Sequence, residues 1–184
     1  LLNEKKTYSV EVKLGISTST GDIHGEITGN SKIREYSENQ WKEVLSEFEG
    51  TSEQIPPMYS ALRYKGKRLY ELARKGEVID REARKIKIFS IELTRLLGDI
   101  IHFEVTCSKG TYIRVLAEDI AKKLGMLAYV SQLRRKNVGN FCESKMVNFS
   151  IIEDFMINNN SRISDYLVTI DEALAEFSII NLNE

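Results

Sequence analysis

Tyr112 and Arg114 stand two residues apart in CSKGTYIRVLAEDIAKKLG, residues 107–125, where a strand-like run gives way to a helix-like one. An aromatic ring and a permanent cation at such a junction suit a phosphate or an unstacked base, and equally an ion pair beside a core tyrosine. Three more residues belong to the chemical inventory. Tyr8 lies in KTYSVEVKL among alternating apolar positions, Asp22 in the loop GISTSTGDIHG, and Arg74 at the end of LYELAR. By themselves they read as a strand-face tyrosine, a turn residue and a helix-end cation. His24 and His102 have no companions at ligand spacing, and Cys107 and Cys142 form no CxxC or Cys/His pattern, so neither a metal site nor a disulfide framework is indicated.

The elements that must position these groups follow from periodicity. Tyr8, Val10, Val12 and Leu14 alternate with polar residues, the period of a half-buried strand. In SENQWKEVLSEFEG, Ser37 and Gln40 form a capping-box pair, Trp41, Val44, Leu45 and Phe48 make one helical stripe, and Gly50 is the expected stop. Pro56 and Pro57 begin an extended entry, a short basic strand is expected from Tyr59 to Tyr64, and residues 69–74 read as a short helix closed by Gly76. Residues 86–97 and 100–107 read as two strands joined at Gly98-Asp99. Val115, Leu116, Ile120 and Leu124 supply helical spacing before Gly125, and residues 128–138 return as a strand. Residues from Val147 look helical, pass through NNNSR and end in a last piece, 166–184. Mixed strands and helices without regular βαβ alternation indicate an α+β fold.

A chain of 184 residues, 42% hydrophobic and 29% charged, is long enough to bury a core and lies outside the disordered range. No apolar run approaches the length of a membrane span, and a reducing cytoplasm is the expected home. The net charge of −1 conceals an asymmetry: residues 61–95 hold eleven Lys or Arg against five acids, which leaves the remainder at −7. Local cation density, rather than net charge, is what releases counterions from a nucleic acid, although a solvated surface has the same composition.

Five stretches together resemble the TruB-type tRNA pseudouridine-55 synthases: KKTYSVEVKLGISTSTGD, IPPMYSALRYKGKRLYELAR, REARKI, CSKGTYIRVLAEDIAKKLG, and LRR at residues 133–135, in the family's order. The resemblance implies a mixed, largely antiparallel sheet with flanking helices and an RNA-binding cleft, incomplete at both ends. It implies a partial catalytic domain over residues 1–150, with a basic RNA-clasping insertion at about 56–85, followed over 151–184 by a helical segment and the start of a truncated C-terminal domain. The implied reaction is isomerisation of a T-arm uridine of tRNA to pseudouridine, with a carboxylate nucleophile, base flipping, and no metal or organic cofactor.

The family's nucleophilic aspartate lies in a GTLDP-like motif upstream of the strand that begins near Lys5. None of the seven aspartates here, at 22, 80, 99, 119, 154, 165 and 171, has that context. The expectation is therefore a nucleophile-less and inactive piece of a longer enzyme, which a start at Leu1 and a stop at NLNE also suggest. A non-catalytic RNA-binding or tRNA-folding module is the alternative. Exposed sheet edges make self-association of such a piece a further expectation.

Residue by residue, the resemblance assigns Tyr8 to stacking on the target base and to proton removal from C5. It assigns Arg114 to pairing with the catalytic aspartate, and Asp22 and Arg74 to a supporting network. Tyr112 and Leu133 become walls of the uridine pocket, and Arg63, Lys65, Lys67 and Arg68 become RNA contacts. Ser19 stands where the family commonly has Asp. Arg134 and Arg135 suit either phosphate contact or the end of a strand.

Overall fold

The computed structural model describes residues 4–157 and 166–174, and the chain separates into two compact units, 1–141 and 142–184. The NNNSR stretch and everything beyond residue 174 lie outside the described residues.

The first unit is built on an antiparallel sheet. β1 (Lys6–Leu14) pairs on one side with β8 (Ile100–Cys107) and on the other with β9 (Ala128–Val138). β7 (Arg84–Leu97) and β4 (Gly50–Gln54) continue the sheet beyond β8, and the two-residue β10 (Phe141–Cys142) borders β9. Two small ladders lie outside it: β2 (Ile16–Thr18) with β3 (Ile27–Asn30), and β5 (Arg63–Tyr64) with β6 (Lys67–Arg68). The helices are α1 (Glu38–Ser46), the short α2 (Leu69–Ala73) and α3 (Ile113–Lys123).

One face of the sheet is dry. Val10, Val12 and Leu14 of β1, Ile101, Phe103 and Val105 of β8, and Ile86, Ile88 and Ile91 of β7 meet Trp41 and Leu45 of α1 and Leu116 and Ile120 of α3. The alternation in β7 changes phase after Ile88, because Ile88 pairs with Cys107 while Ser90 pairs with Thr106; one extra residue, Phe89, is accommodated and Ile91 returns to the core face. The capping box at Ser37 forms as expected: its hydroxyl accepts from the Gln40 N–H at 3.3 Å, and the Gln40 side chain accepts from the Ser37 N–H at 2.9 Å. Gly50, at φ +100°, opens β4 rather than ending a helix that has already stopped at Ser46.

The basic segment departs from the expected single strand. Residues 59–62 are not strand, and the hairpin β5–β6 turns on Lys65-Gly66, at φ +47° and +84°. Two successive positive-φ residues make the tight turn whose twist matches paired strands. In the second unit, α4 (Phe149–Ile157) starts at Asn148, whose Oδ1 accepts from the Ile151 N–H at 3.0 Å, and Phe155 packs against Tyr166 at 5.3 Å between ring centroids. α5 (Ile170–Ala173) is capped by Thr169.

Candidate active site

The site follows from one connection. β8 and β9 flank β1, so α3, which joins them, must cross over β1, and it packs on both β1 and β9. β8 ends at Cys107, opposite Lys6. The chain therefore enters α3 at the end of the sheet that carries Tyr8, and Arg114 in the first turn is delivered there. Gln54 fixes that entry: its Oε1 accepts from the Tyr112 N–H at 2.8 Å and its Nε2 donates to the Tyr112 carbonyl at 3.1 Å, while the residue is buried at the end of β4. Tyr112 is thereby held at the N-cap through its backbone, with its side chain half-buried.

Arg114 makes three hydrogen bonds. One terminal nitrogen donates to the Thr20 carbonyl at 2.6 Å and to Asp22 Oδ2 at 3.1 Å, and the other donates to the Tyr59 carbonyl at 2.7 Å. The carboxylate expected to be missing has a counterpart in Asp22, whose Oδ1 accepts from the Thr20 hydroxyl at 2.6 Å and the His24 N–H at 3.1 Å. The loop is stitched to the edge of β9: the Val130 N–H donates to the Gly21 carbonyl at 3.0 Å and the Ile23 N–H donates back at 3.2 Å. Gly21 permits the close approach, at φ +72°; a Cβ there would lie 2.7 Å from Glu118 Oε1. Ser19 hydrogen-bonds across the loop, its hydroxyl accepting from the Glu26 N–H at 3.1 Å.

A hollow of about 300 Å³ opens beside the guanidinium, between loop 19–21, residues 57–59, residues 73–78 and the side of α3 that carries Glu118. Burial pushes the Glu118 carboxyl above its ordinary value and the neighbouring Asp119 charge adds to this, while Arg114 pulls it back.

The second cluster lies on β1 and β9. Tyr8, only 9% exposed, is covered by Arg135, whose Nε donates to the phenol oxygen at 3.3 Å and whose guanidinium stands 5.5 Å from the ring centroid. Leu133 pairs with Val10, so it belongs to the face that carries Tyr8, yet it is 47% exposed. Bulges at Ser131 and Lys136 bracket Leu133 to Arg135 and re-aim them. Tyr8 is thus a covered ring beside one exposed apolar side chain.

The structure joins Asp22 with Arg114 and places Tyr8 and Leu133 on one face near the start of α3. Arg74 sits apart, exposed at the C-cap of α2 and 5.3 Å from the Tyr70 ring. Among the described residues, no hydrogen bond or ion pair links Tyr8 or Arg74 to the Asp22–Arg114 pair. Arg63, Lys65, Lys67 and Arg68 are exposed on the β5–β6 hairpin. Sequence reasoning did not single out Gln54, the Tyr59 carbonyl or Glu118. Only Glu118 carried a signal, one helical turn beyond Arg114.

The site is thus an antiparallel sheet crossed by a helix that delivers an arginine to a sheet end bearing a tyrosine. Residues 1–113 match the TruB family pseudouridylate synthase N-terminal domain, and residues 114–175 match the tRNA pseudouridylate synthase B C-terminal domain. The chain belongs to the TruB family of pseudouridylate synthases. It is 42% identical over 182 residues to tRNA pseudouridine synthase B of Nitrosococcus oceani, covering 99% of this chain and 59% of that protein. It is 39% identical over 184 residues to the protein of the same name from Clostridium tetani, covering 100% and 62%. The chain thus spans about three fifths of the curated relatives it matches. Among solved structures, a Cbf5–Nop10–Gar1 complex superposes with a TM-score of 0.64 at 26% identity, over 90% of this chain and 40% of that one. An archaeal box H/ACA Nop10–Cbf5 complex, at 23% identity, 90% and 39% coverage and a TM-score of 0.57, shares the fold.

Among the described residues there is no helix long and apolar enough to cross a membrane, and no group of three or more His, Cys, Asp or Glu that could hold a metal ion.

Proposed function

We propose that this chain is the larger part of a cytoplasmic tRNA pseudouridine synthase that converts a T-arm uridine, uridine 55, to pseudouridine. The observation that carries the reading is the placement of Tyr8 and Leu133 on one sheet face at the end where α3 delivers Arg114. A flipped uracil would displace Arg135 from the Tyr8 ring and stack there against Leu133, which offsets the loss of its stack in the RNA, about a few kcal/mol. The C1′–N1 bond breaks as a carboxylate takes C1′; the uracil turns; C5 bonds to C1′ and releases the carboxylate. The C5 proton is lost with Tyr8 assisting, and N1 gains one, so the net change is an isomerisation.

No aspartate of residues 1–184 has the family's nucleophile context, so the reading draws that carboxylate from the rest of the longer protein. Arg114 orients it by a paired hydrogen bond, while Asp22 holds Arg114 in place. Arg74 would have to leave the Tyr70 ring to support that pair, Tyr112 borders the pocket, and Arg63, Lys65, Lys67 and Arg68 contact the RNA backbone. The isolated chain is expected to bind T-arm RNA without turning it over, and its open sheet edges favour self-association.

The test uses the full-length protein with a T-arm stem-loop tritiated at uridine C5, because forming the C5–C1′ bond expels that label. Tritium release from the wild type, abolished in Arg114→Ala with most RNA binding retained, is expected. A folded full-length protein that binds the stem-loop and releases no tritium would refute the enzymatic reading. It would favour RNA binding without chemistry, a reading that the engagement of Arg114 by Thr20, Asp22 and Tyr59 also accommodates.

A further inference from the structure

Arg81 lies in the extended connection between α2 and β7, inside the sequence REARK. Its Nε and Nη1 are closed off from solvent and meet no hydrogen-bond acceptor in the protein. Removing guanidinium N–H groups from water without replacement acceptors is costly, so a protein retains such an arrangement only where something else compensates it. Among the described residues, the only other side-chain polar atom in this condition is Ser60 Oγ, and it belongs to the same basic segment.

Arg81 lines a hollow of about 250 Å³ whose walls include Arg63, Tyr64, Leu69 and Arg84. Asp80 and Glu82 border the same hollow, yet no ion pair joins either to any of the three arginines. Three cations therefore line one concavity with two carboxylates, and none of the three is tied to either by an ion pair. The concavity also adjoins the hairpin that displays Lys65, Lys67 and Arg68. Leaving its resting position would cost Arg81 no hydrogen bond, and an anion entering the hollow would supply two parallel ones.

We propose that this hollow is a phosphate-binding site in which Arg81, flanked by Arg63 and Arg84, grips one backbone phosphate of the bound RNA. The proposal rests on the RNA-modifying reading above and names a contact within it. The RNA backbone is favoured over an acidic peptide because the adjoining rings, Tyr64 and Tyr70, offer stacking surfaces alongside the cations.

Arg81→Met keeps much of the side-chain volume and removes the charge. Its thermal midpoint without ligand should equal or exceed that of the wild type, since an uncompensated cation has been removed; an arginine serving only the fold would leave a less stable protein. Inorganic phosphate, compared with chloride at equal ionic strength, should stabilise the wild type and not Arg81→Met. Binding of a T-arm stem-loop, followed by fluorescence anisotropy across a salt series, should weaken roughly tenfold. The slope of log affinity against log salt should become shallower by about 0.7 to 0.9, the loss of one phosphate contact.

A destabilised Arg81→Met with an unaltered RNA slope would overturn the site. Loss of the phosphate effect with an unaltered RNA slope would reassign the hollow to a free anion and overturn the RNA contact. Tight wild-type RNA binding in either case leaves the RNA-modifying reading standing, whereas a wild type that fails to bind the stem-loop at low salt removes both.

Discussion

The sheet-and-helix body and the basic segment at residues 56–85 differ in whether their cations meet carboxylates. In the body, Lys13 meets Asp99, Lys123 meets Glu47, Lys136 meets Glu104 and Arg114 meets Asp22. In the basic segment no ion pair is found among the described residues, and the ring contacts that Lys5, Lys87, Lys123 and Arg135 also make in the body stand alone: Lys65 lies over Tyr64, and Arg68 and Arg74 over Tyr70, while Arg81 has no acceptor for two of its nitrogens. A carboxylate partner fixes a direction, whereas an aromatic partner leaves the positive charge available to another anion. The body holds these cations against carboxylates, and the segment leaves its own without one.

Four changes test that division, ordered by their expected effect on stability. Phe103→Ala hollows the buried face of β8 and should cost about 4 kcal/mol in urea unfolding; a change near zero would mean that the sheet and α3 do not form one core. Arg114→Met leaves the Thr20 and Tyr59 carbonyls and Asp22 without their donor and should cost about 2 kcal/mol, with faster hydrogen exchange in loop 18–23. Unchanged exchange there would show that the loop is held by β9 alone.

Glu118→Gln acts through pH. The Glu118 carboxyl is raised above its ordinary value of 4.5, chiefly by burial. The folded state then holds its proton more tightly than the unfolded chain does. This contribution to stability is complete below the ordinary value and is lost as pH rises through the raised one. The Gln variant should therefore lose less stability than the wild type as pH rises from the ordinary carboxylate value in parallel urea titrations; identical curves would contradict the assigned burial. The smallest stability effect belongs to the segment. Combining Arg63→Glu, Lys67→Glu and Arg68→Glu should leave unfolding within about 0.5 kcal/mol of wild type. The same variant should weaken stem-loop binding by about a hundredfold or more at low salt. Equal RNA affinity would place the polyanion surface elsewhere.

Much of this division was legible in the chain. The alternation at Tyr8 to Leu14, the Ser37–Gln40 box and the turn at Gly98-Asp99 are local patterns with local causes, and each formed where expected. Residues 59–64 were harder to read, because two positive-φ residues at Lys65-Gly66 convert an apparent single strand into a hairpin. β4 was missed, since GTSEQ has no apolar alternation; it is a strand because β7 offers it an edge. The chemistry-bearing types at Tyr8, Asp22 and Arg114 were visible, but the partners Gln54, Thr20 and the Tyr59 carbonyl were not. Their contacts cross 58, 94 and 55 residues of chain, and two of the three are made by backbone atoms that no side-chain pattern advertises.

The sequence by itself determined the α+β class, the clustering of cations in residues 61–95 and the family to which the chain belongs, because periodicity, composition and ordered motifs are properties of the string. Only the tertiary structure decided that Asp22 holds Arg114, that Arg135 covers Tyr8 and that Arg81 is left without acceptors. Each of these depends on strand register or on a crossover that brings distant segments within hydrogen-bonding range, and a register is chosen by the packing of the whole sheet rather than by any residue within it.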